Sequence, residues 1–248
     1  MLLQMCTWPE VETYLKTNNG IIMPIGSTEQ HGPIGHMGTD ALCAEVVARG
    51  VGEAAGVMVA PTIHVGMANH HMAFPGSMTL MPSTLIQVMK EYVLGLTRHG
   101  FRRFMFLNGH GGNISTINAA FPEILATAHR DSWVKPGELR LSLQNWFNGA
   151  QVKALRDKLY GDKEGMHATP SEIALMQHAF PEHIKSGDLA DIPPVTRAPM
   201  EPEAFRATFP DGRMGSHSGM ANPQDGKDLF DLAVQDMTRL WQGFVQEP

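Results

Sequence analysis

The chain has 248 residues, 43% hydrophobic and 18% charged, with 19 basic against 25 acidic groups for a formal net charge of −6. That is enough chain to bury a full core, as one large domain or two small ones, and the composition is that of an ordinary globular protein. Mild acidity without a basic stripe argues against a nucleic-acid partner, no apolar run reaches the ~20 residues of a membrane span, and the N-terminus lacks a secretory pattern. Cys6 and Cys43 stand far apart with no C-x-x-C, which reads as two reduced thiols of a cytoplasmic protein. The 17 Met suit irregular core gaps, whereas the 12 His gather beside glycines and invite a chemical reading.

Gly20–Ile25 is a short apolar run closed by Gly26 and predicts a buried strand. A helix is expected from Ala41 to about Ala55, with Thr39 as its N-cap. Val57–Ala60, ended by Pro61, predicts a second strand. A long irregular segment follows from His64 to Pro82, and loops of that length inside a compact domain usually carry function. A helix capped by Ser83 or Thr84 runs to about His99, where Gly100 stops it. Phe101–Leu107 predicts a third strand, Asn108–Asn113 turns out of it, and helix resumes from Ile114 to Arg130. Leu139–Leu143 alternates at period two as a fourth strand. Thr169 or Ser171 opens a helix through Ala179, and Asp228–Phe244 repeats its apolar residues at helical spacing. Between them, Pro181–Lys227 is rich in Pro and Gly and has no periodicity that places it. Strand alternating with helix predicts an α/β fold of three layers, helices on both faces of a mostly parallel sheet, in one domain spanning residues 1–248.

The chemistry gathers at predicted strand ends, where ligands bind in open α/β sheets. Just beyond the first strand, Gly26-Ser27-Thr28-Glu29-Gln30-His31-Gly32-Pro33 and Gly38-Thr39-Asp40 place two carboxylates and an imidazole within twelve residues. Glu29 and His31, two apart in extended backbone, project to one side, and Asp40 sits at a helix start that favours an anion. These are the oxygen and nitrogen ligands that divalent metals prefer. Alone, the triplet is as well read as a surface turn. His110 repeats the placement after the third strand, where Gly109, Gly111 and Gly112 permit positive φ and close approach to an ion or substrate. Glu172 on the first turn of a later helix is by itself an ordinary helix-start carboxylate, and His167 by itself is unremarkable. One of His70 and His71 can face the site from the long loop, while at least one of the pair is expected to be solvated or satisfied by backbone.

With these residues in place, the sequence resembles the creatininase (creatinine amidohydrolase) family. The resemblance rests on Gly26–Pro33 with Gly38-Thr39-Asp40, on His71-x-x-Phe74-Pro75-Gly76-Ser77, on Asn108-Gly109-His110-Gly111-Gly112-Asn113, and on His167 with Glu172. It implies a three-layer α/β/α fold and two divalent metal ions per chain, zinc first, with manganese or iron as alternatives. Glu29, Asp40 and His110 would hold one ion, with His31, a bridging Asp40 and Glu172 holding the other. His167 would transfer a proton, and His71, Gly111 and Gly112 would meet the substrate. The resemblance further implies a cytoplasmic homo-oligomer, a hexamer, acting on a small molecule. The chain departs from true creatininases at Gly112, where they carry a metal-ligating Glu, and at Lys163-Glu164-Gly165-Met166, where they carry Trp and acidic residues, so creatinine is not the expected substrate. The reaction implied is C–N hydrolysis of a small cyclic amide or formamide by a metal-bridged hydroxide. A cyclic ketone or lactone such as an oxidised inositol or sugar suits the same reagent. A non-catalytic metal-binding regulator is the reading from another class, against which the five retained ligands argue.

Overall fold

The structure, a computed structural model, describes residues 1–191 and 198–246. Four strands form its sheet: β1 (Gly20–Ile25), β2 (Met58–Val59), β3 (Arg103–Asn108) and β4 (Arg140–Asn145), in the order β2-β1-β3-β4 with every pairing parallel. The first helix, α1 (Trp8–Leu15), has no counterpart in the sequence reading. It is marked by the capping box of Thr7 and Glu10 and by Pro9 at its start. The helix α2 (Thr39–Ala55) joins β1 to β2, α3 (Pro82–His99) joins β2 to β3, and α4 (Ile114–Arg130) joins β3 to β4. After β4 come α5 (Ala150–Leu159), α6 (Pro170–Ala179), α7 (Pro202–Thr208) and α8 (Pro223–Gln246).

The alternation along each strand divides the core. Ile22, Met105 and Leu107 pack with residues of α2, α5, α6 and α8, while Ile21, Met23, Ile25, Phe104 and Phe106 pack with α1, α3 and α4. Both faces of β1 are therefore buried, as its unbroken apolar sequence requires. Right-handed crossovers that leave β1 in one direction and return past it to β3 put α2 and α3 on opposite faces. The order of the strands thus reverses between β1 and β3, and the crevice at their carboxyl ends is the topological switch point.

Several boundaries move. Thr39 does not cap α2: it is the first helical residue, Gly38 precedes it, and its hydroxyl donates to His36 O at 2.7 Å. Likewise α3 begins at Pro82 rather than after Ser83 or Thr84, because proline is pre-shaped for a first helical position. The helix α5 was not anticipated. In the stretch left unplaced, 181–227, the structure contributes α7, short 3-10 turns and the start of α8, while residues 192–197 lie outside the described residues. Among the described residues, no helix is long and apolar enough to cross a membrane.

Candidate metal centre

The register Ile25↔Asn108 ends β1 and β3 at one level, so the turns after them leave side by side. Gly109 N–H donates to Ile25 O at 2.9 Å and ties the two together. Of the two things glycine permits here, positive φ is not used: Gly109, Gly111 and Gly112 all have negative φ or extended backbone outside the left-handed region. Two of them serve close approach instead. A Cβ at Gly109 would lie 2.0 Å from Asp40 O, and one at Gly112 would lie 2.3 Å from the His110 ring. The turn after β3 can therefore press against the N-terminus of α2 and bring His110 to Asp40.

Every candidate ligand meets here. Glu29 and His31 are wholly buried, and Asp40, His110 and His167 nearly so. Three groups each offer three ligand atoms close enough to share one ion: Glu29, Asp40 and His110; His31, Asp40 and Glu172; and Glu29, His31 and His167. Asp40 is common to the first two, with Oδ2 at 2.8 Å from His110 Nδ1 and Oδ1 at 3.1 Å from His31 Nε2. Glu172 Oε2 lies 3.9 Å from the same His31 nitrogen. Its other oxygen accepts the Thr169 N–H, closing a capping box that opens α6 and fixes the carboxylate's direction.

The imidazoles are oriented from behind. His31 Nδ1–H donates to Glu29 O at 3.1 Å, His110 Nε2–H to Met67 O at 3.0 Å, and His167 Nε2–H to Gln30 O at 2.7 Å. In each case a carbonyl takes one ring nitrogen and turns the other toward the carboxylates, as metal-binding histidines require. His71 differs. Its Nδ1 accepts from the Gln30 side-chain amide at 3.0 Å, which puts its proton on Nε2, 3.1 Å from Glu29 Oε1. It is 1% exposed and is absent from the cavity lining, so its placement is behind Glu29 rather than facing a substrate. Gly111 lines the cavity and Gly112 does not.

Among the described residues, Glu29 Oε1 and Oε2 and Asp40 Oδ2 are buried and receive no aligned hydrogen bond, although imidazole nitrogens stand close to them. Buried carboxylate oxygens with no donor are costly unless a cation compensates them. With no ion present, protons must do so. Burial alone would lower the pKa values of His31 and His110, but Asp40, Glu29 and, for His31, Glu172 outweigh it and push them up to about 10 and about 9. Asp40 is held well below its usual range by His31 and His110 against its burial. Burial lifts Glu172 to about 7 and drives His167 well below its ordinary value. Burial, with three neighbouring imidazoles, takes His71 down to about 2. A donor set of carboxylates and imidazoles, short of positive charge and converging from four segments of chain, fits divalent metal ions.

Supporting residues were missed in the sequence. Asn113 Oδ1 accepts from Met67 N–H and its amide donates to Gly26 O, so it braces both the carbonyl behind His110 and the exit of β1. Asn108 and Asn145, paired across β3 and β4, bond to each other at the same level. An Asn closing each of two neighbouring strands was the available signal. Gln30, lodged between His71 and Gly212 O, had none.

The family model for creatinine amidohydrolase matches residues 4–241. Creatinine amidohydrolase of Pseudomonas putida is 26% identical over 92% of this chain and 91% of its own length. The mycofactocin precursor peptide peptidase of Mycobacterium tuberculosis (strain H37Rv) is 26% identical over 94% of this chain and 88% of its own. The 3-dehydro-scyllo-inosose hydrolase of Thermotoga maritima is 27% identical over 77% and 60%. A solved structure of creatininase with manganese superposes with a TM-score of 0.84 at 24% identity, covering 98% of each chain, and establishes the α/β fold. With the match spanning nearly its whole length, this chain belongs to the creatininase family of hydrolases.

Proposed function

We propose that this chain is a two-metal hydrolase that cleaves the C–N bond of a small cyclic amide or formamide. The observation that carries the reading is the set of three unpartnered carboxylate oxygens on Glu29 and Asp40, faced by ring nitrogens of His31 and His110 that backbone carbonyls hold in place. Glu29, Asp40 and His110 would hold one ion, and His31, Asp40 and Glu172 the other, with Asp40 shared. Bound there, two divalent ions would supply a water that is nucleophilic near neutrality and would polarise a carbonyl.

The remaining chemistry belongs to the chain. His167 lines the cavity, carries its proton on Nε2 against Gln30 O, and presents an unprotonated Nδ1 to the site, 3.7 Å from Glu29 Oε1. That nitrogen can take a proton as the nucleophile adds and return it to the leaving nitrogen. In the turn after β3 the N–H groups of Gly109, His110 and Asn113 are committed to Ile25 O, Asn108 Oδ1 and His110 O. Of the rest, Gly111 lines the cavity, and its N–H would be the backbone donor offered to a developing oxyanion. The Thermotoga maritima relative is named for a ring ketone, a substrate the same residues could serve.

Metal analysis and turnover test the reading together. Purified protein should hold two divalent ions per chain, lose them in Asp40→Ala, and hydrolyse members of a cyclic amide and formamide panel when reconstituted. Fewer than one ion per chain, unchanged by Asp40→Ala, sinks it.

A further inference from the structure

The cavity beside the metal centre contains a cation that metal-assisted hydrolysis does not need. Its volume of about 320 Å³ lies near the lower bound of small-ligand sites, ~300–1,000 Å³, so it suits a small molecule. Asp40, His110, His167 and Glu172 line it on the metal side, and Arg156 of α5 and Glu164 line it as well.

The Arg156–Glu164 pair is not a closed salt bridge. Arg156 Nε stands 3.7 Å from Glu164 Oε1 and is buried without a hydrogen-bond partner. Glu164 Oε1 takes the Ser171 hydroxyl instead, and its Oε2 is buried and unpartnered. Among the described residues, the guanidinium makes one hydrogen bond, from Nη1 to Phe147 O at 3.3 Å. An ion pair kept for stability is expected to hydrogen-bond fully, since desolvation otherwise exceeds the attraction. Here the arginine side chain, 19% exposed, has most of its donors unspent in a cavity wall. Burial also pushes the Glu164 carboxyl up from its usual range, against Ser171 and Arg156, so it offsets the arginine less fully than an open carboxylate would. A guanidinium stays charged at any working pH, and its planar fork matches a carboxylate.

We infer that Arg156 recognises a carboxylate of the substrate, so that the amide cleaved at the adjoining centre belongs to a small organic acid, with Glu164 as a nearby counter-charge that leaves the guanidinium's donors free. This rests on the two-metal hydrolase reading. It also separates this cavity from one built for a neutral or cationic ring, because an arginine in the wall repels a positive substrate.

Matched lactams test it on the metal-loaded protein: 5-oxoproline carries a carboxylate, 2-pyrrolidinone carries none, and 3-amino-2-pyrrolidinone carries an ammonium group. Calorimetric dissociation constants are measured for wild type, Arg156→Gln, Arg156→Lys and Glu164→Gln, with metal content and melting temperature recorded for each to establish folding. The expected result is a preference of about tenfold or more for 5-oxoproline over 2-pyrrolidinone, the yield of a charged hydrogen bond. Arg156→Gln should abolish that preference with two ions still bound, and Arg156→Lys should keep part of it. A preference undiminished in Arg156→Gln overturns the inference by assigning the carboxylate to the metals. So does a preference for the ammonium lactam lost in Glu164→Gln, or the absence of any preference among the three. If two ions load and neutral amides turn over without a carboxylate preference, the hydrolase reading stands and this inference falls. If no ion loads, the hydrolase reading fails, and this inference fails with it.

Discussion

Filling the metal centre at pH 7.5 should release about two protons per chain, because two imidazoles must each give one up to become ligands. In the metal-free protein His31, at about 10, and His110, at about 9, are both protonated at that pH. The labile protons sit on particular atoms. His31 Nδ1 is committed to Glu29 O and His110 Nε2 to Met67 O, so the protons to be displaced are on His31 Nε2 and His110 Nδ1. Those are the nitrogens that face Asp40. Glu172, at about 7, adds a fraction of a proton that grows as the pH falls, while His71 and His167 hold none to lose. The apparent affinity for two ions therefore climbs by about two log units per pH unit up to about pH 9, each proton adding ~1.36 kcal/mol per unit. Folding without metal runs the opposite way. Groups raised in the folded state stabilise it fully below their unfolded value near 6.5, and that contribution is lost as the pH climbs through 9 to 10. The melting temperature of chelated protein should fall across that window while the increment conferred by zinc grows. Calorimetry of zinc binding in buffers of different ionisation enthalpy counts the protons, and His110→Asn should reduce the count by about one. Release of less than one proton in the wild type would refute the assignment of these nitrogens.

Other consequences are independent of that titration. In Gly112→Ala the new Cβ would fall 2.3 Å from His110 Nε2 and 2.9 Å from Met67 O, parting the bond that aims the imidazole. Zinc affinity should drop by about 10–100-fold, the usual cost of a lost outer partner, and an unchanged affinity in competition titration would contradict this. His167→Ala should retain both ions yet lose about 10²–10⁴ in turnover on any amide that is cleaved. Loss of an ion instead would make His167 a ligand, in the group it forms with Glu29 and His31. Trp241, 5% exposed, packs in the core shared by α2, α6 and α8, far in sequence from every candidate ligand. Trp241→Ala should cost about 3–5 kcal/mol in urea unfolding with metal stoichiometry unaltered. A variant that loses metal while still folded would mean that the centre depends on that face of the sheet.

The parts of this molecule that could be read from the sequence share a physical cause. β1 is legible because burial on both faces forces an unbroken apolar run, and α4 because its apolar residues repeat at helical spacing between a glycine-rich turn and a polar end. Glu29, His31 and His110 are legible because each lies a few residues past a strand, in turns that glycines allow to pass close by other backbone, and Asp40 because it sits at a helix start that favours an anion. The tight approach itself, 2.0 Å for a Cβ at Gly109, explains those glycines better than the positive φ that a glycine-rich turn suggests. Glu172 required the folded chain. As a sequence feature it is a capping-box carboxylate, and in the structure one oxygen does that work while the other faces His31. The position of His71 behind Glu29 was illegible for a related reason: proximity of a histidine to the site does not reveal its tautomer, which here is set by Gln30 from another loop.

The cavity wall was the least legible part, and the reason bears on specificity. Metal ligands sit on turns whose conformations leave marks in the sequence, but the residues around a substrate need only a side chain pointing inward from an ordinary element. Arg156 looks like one more charge on the polar α5, between Leu155 and Asp157, and nothing in its spacing separates it from the solvent-facing Lys153 and Lys158. Trp146 and Phe147 follow β4, whose uniformly half-buried residues say nothing of the pocket beyond it. Arg156, Glu164 and Met166 come from the stretch between β4 and α6, while Glu29, His31, Asp40 and His110 come from the turns after β1 and β3 and the start of α2. The two regions meet at His167 and Glu172, which close the site from the far end of that stretch. Substitutions at Arg156 or Glu164 would therefore reshape the cavity wall of this chain while leaving Glu29, His31, Asp40 and His110 in place.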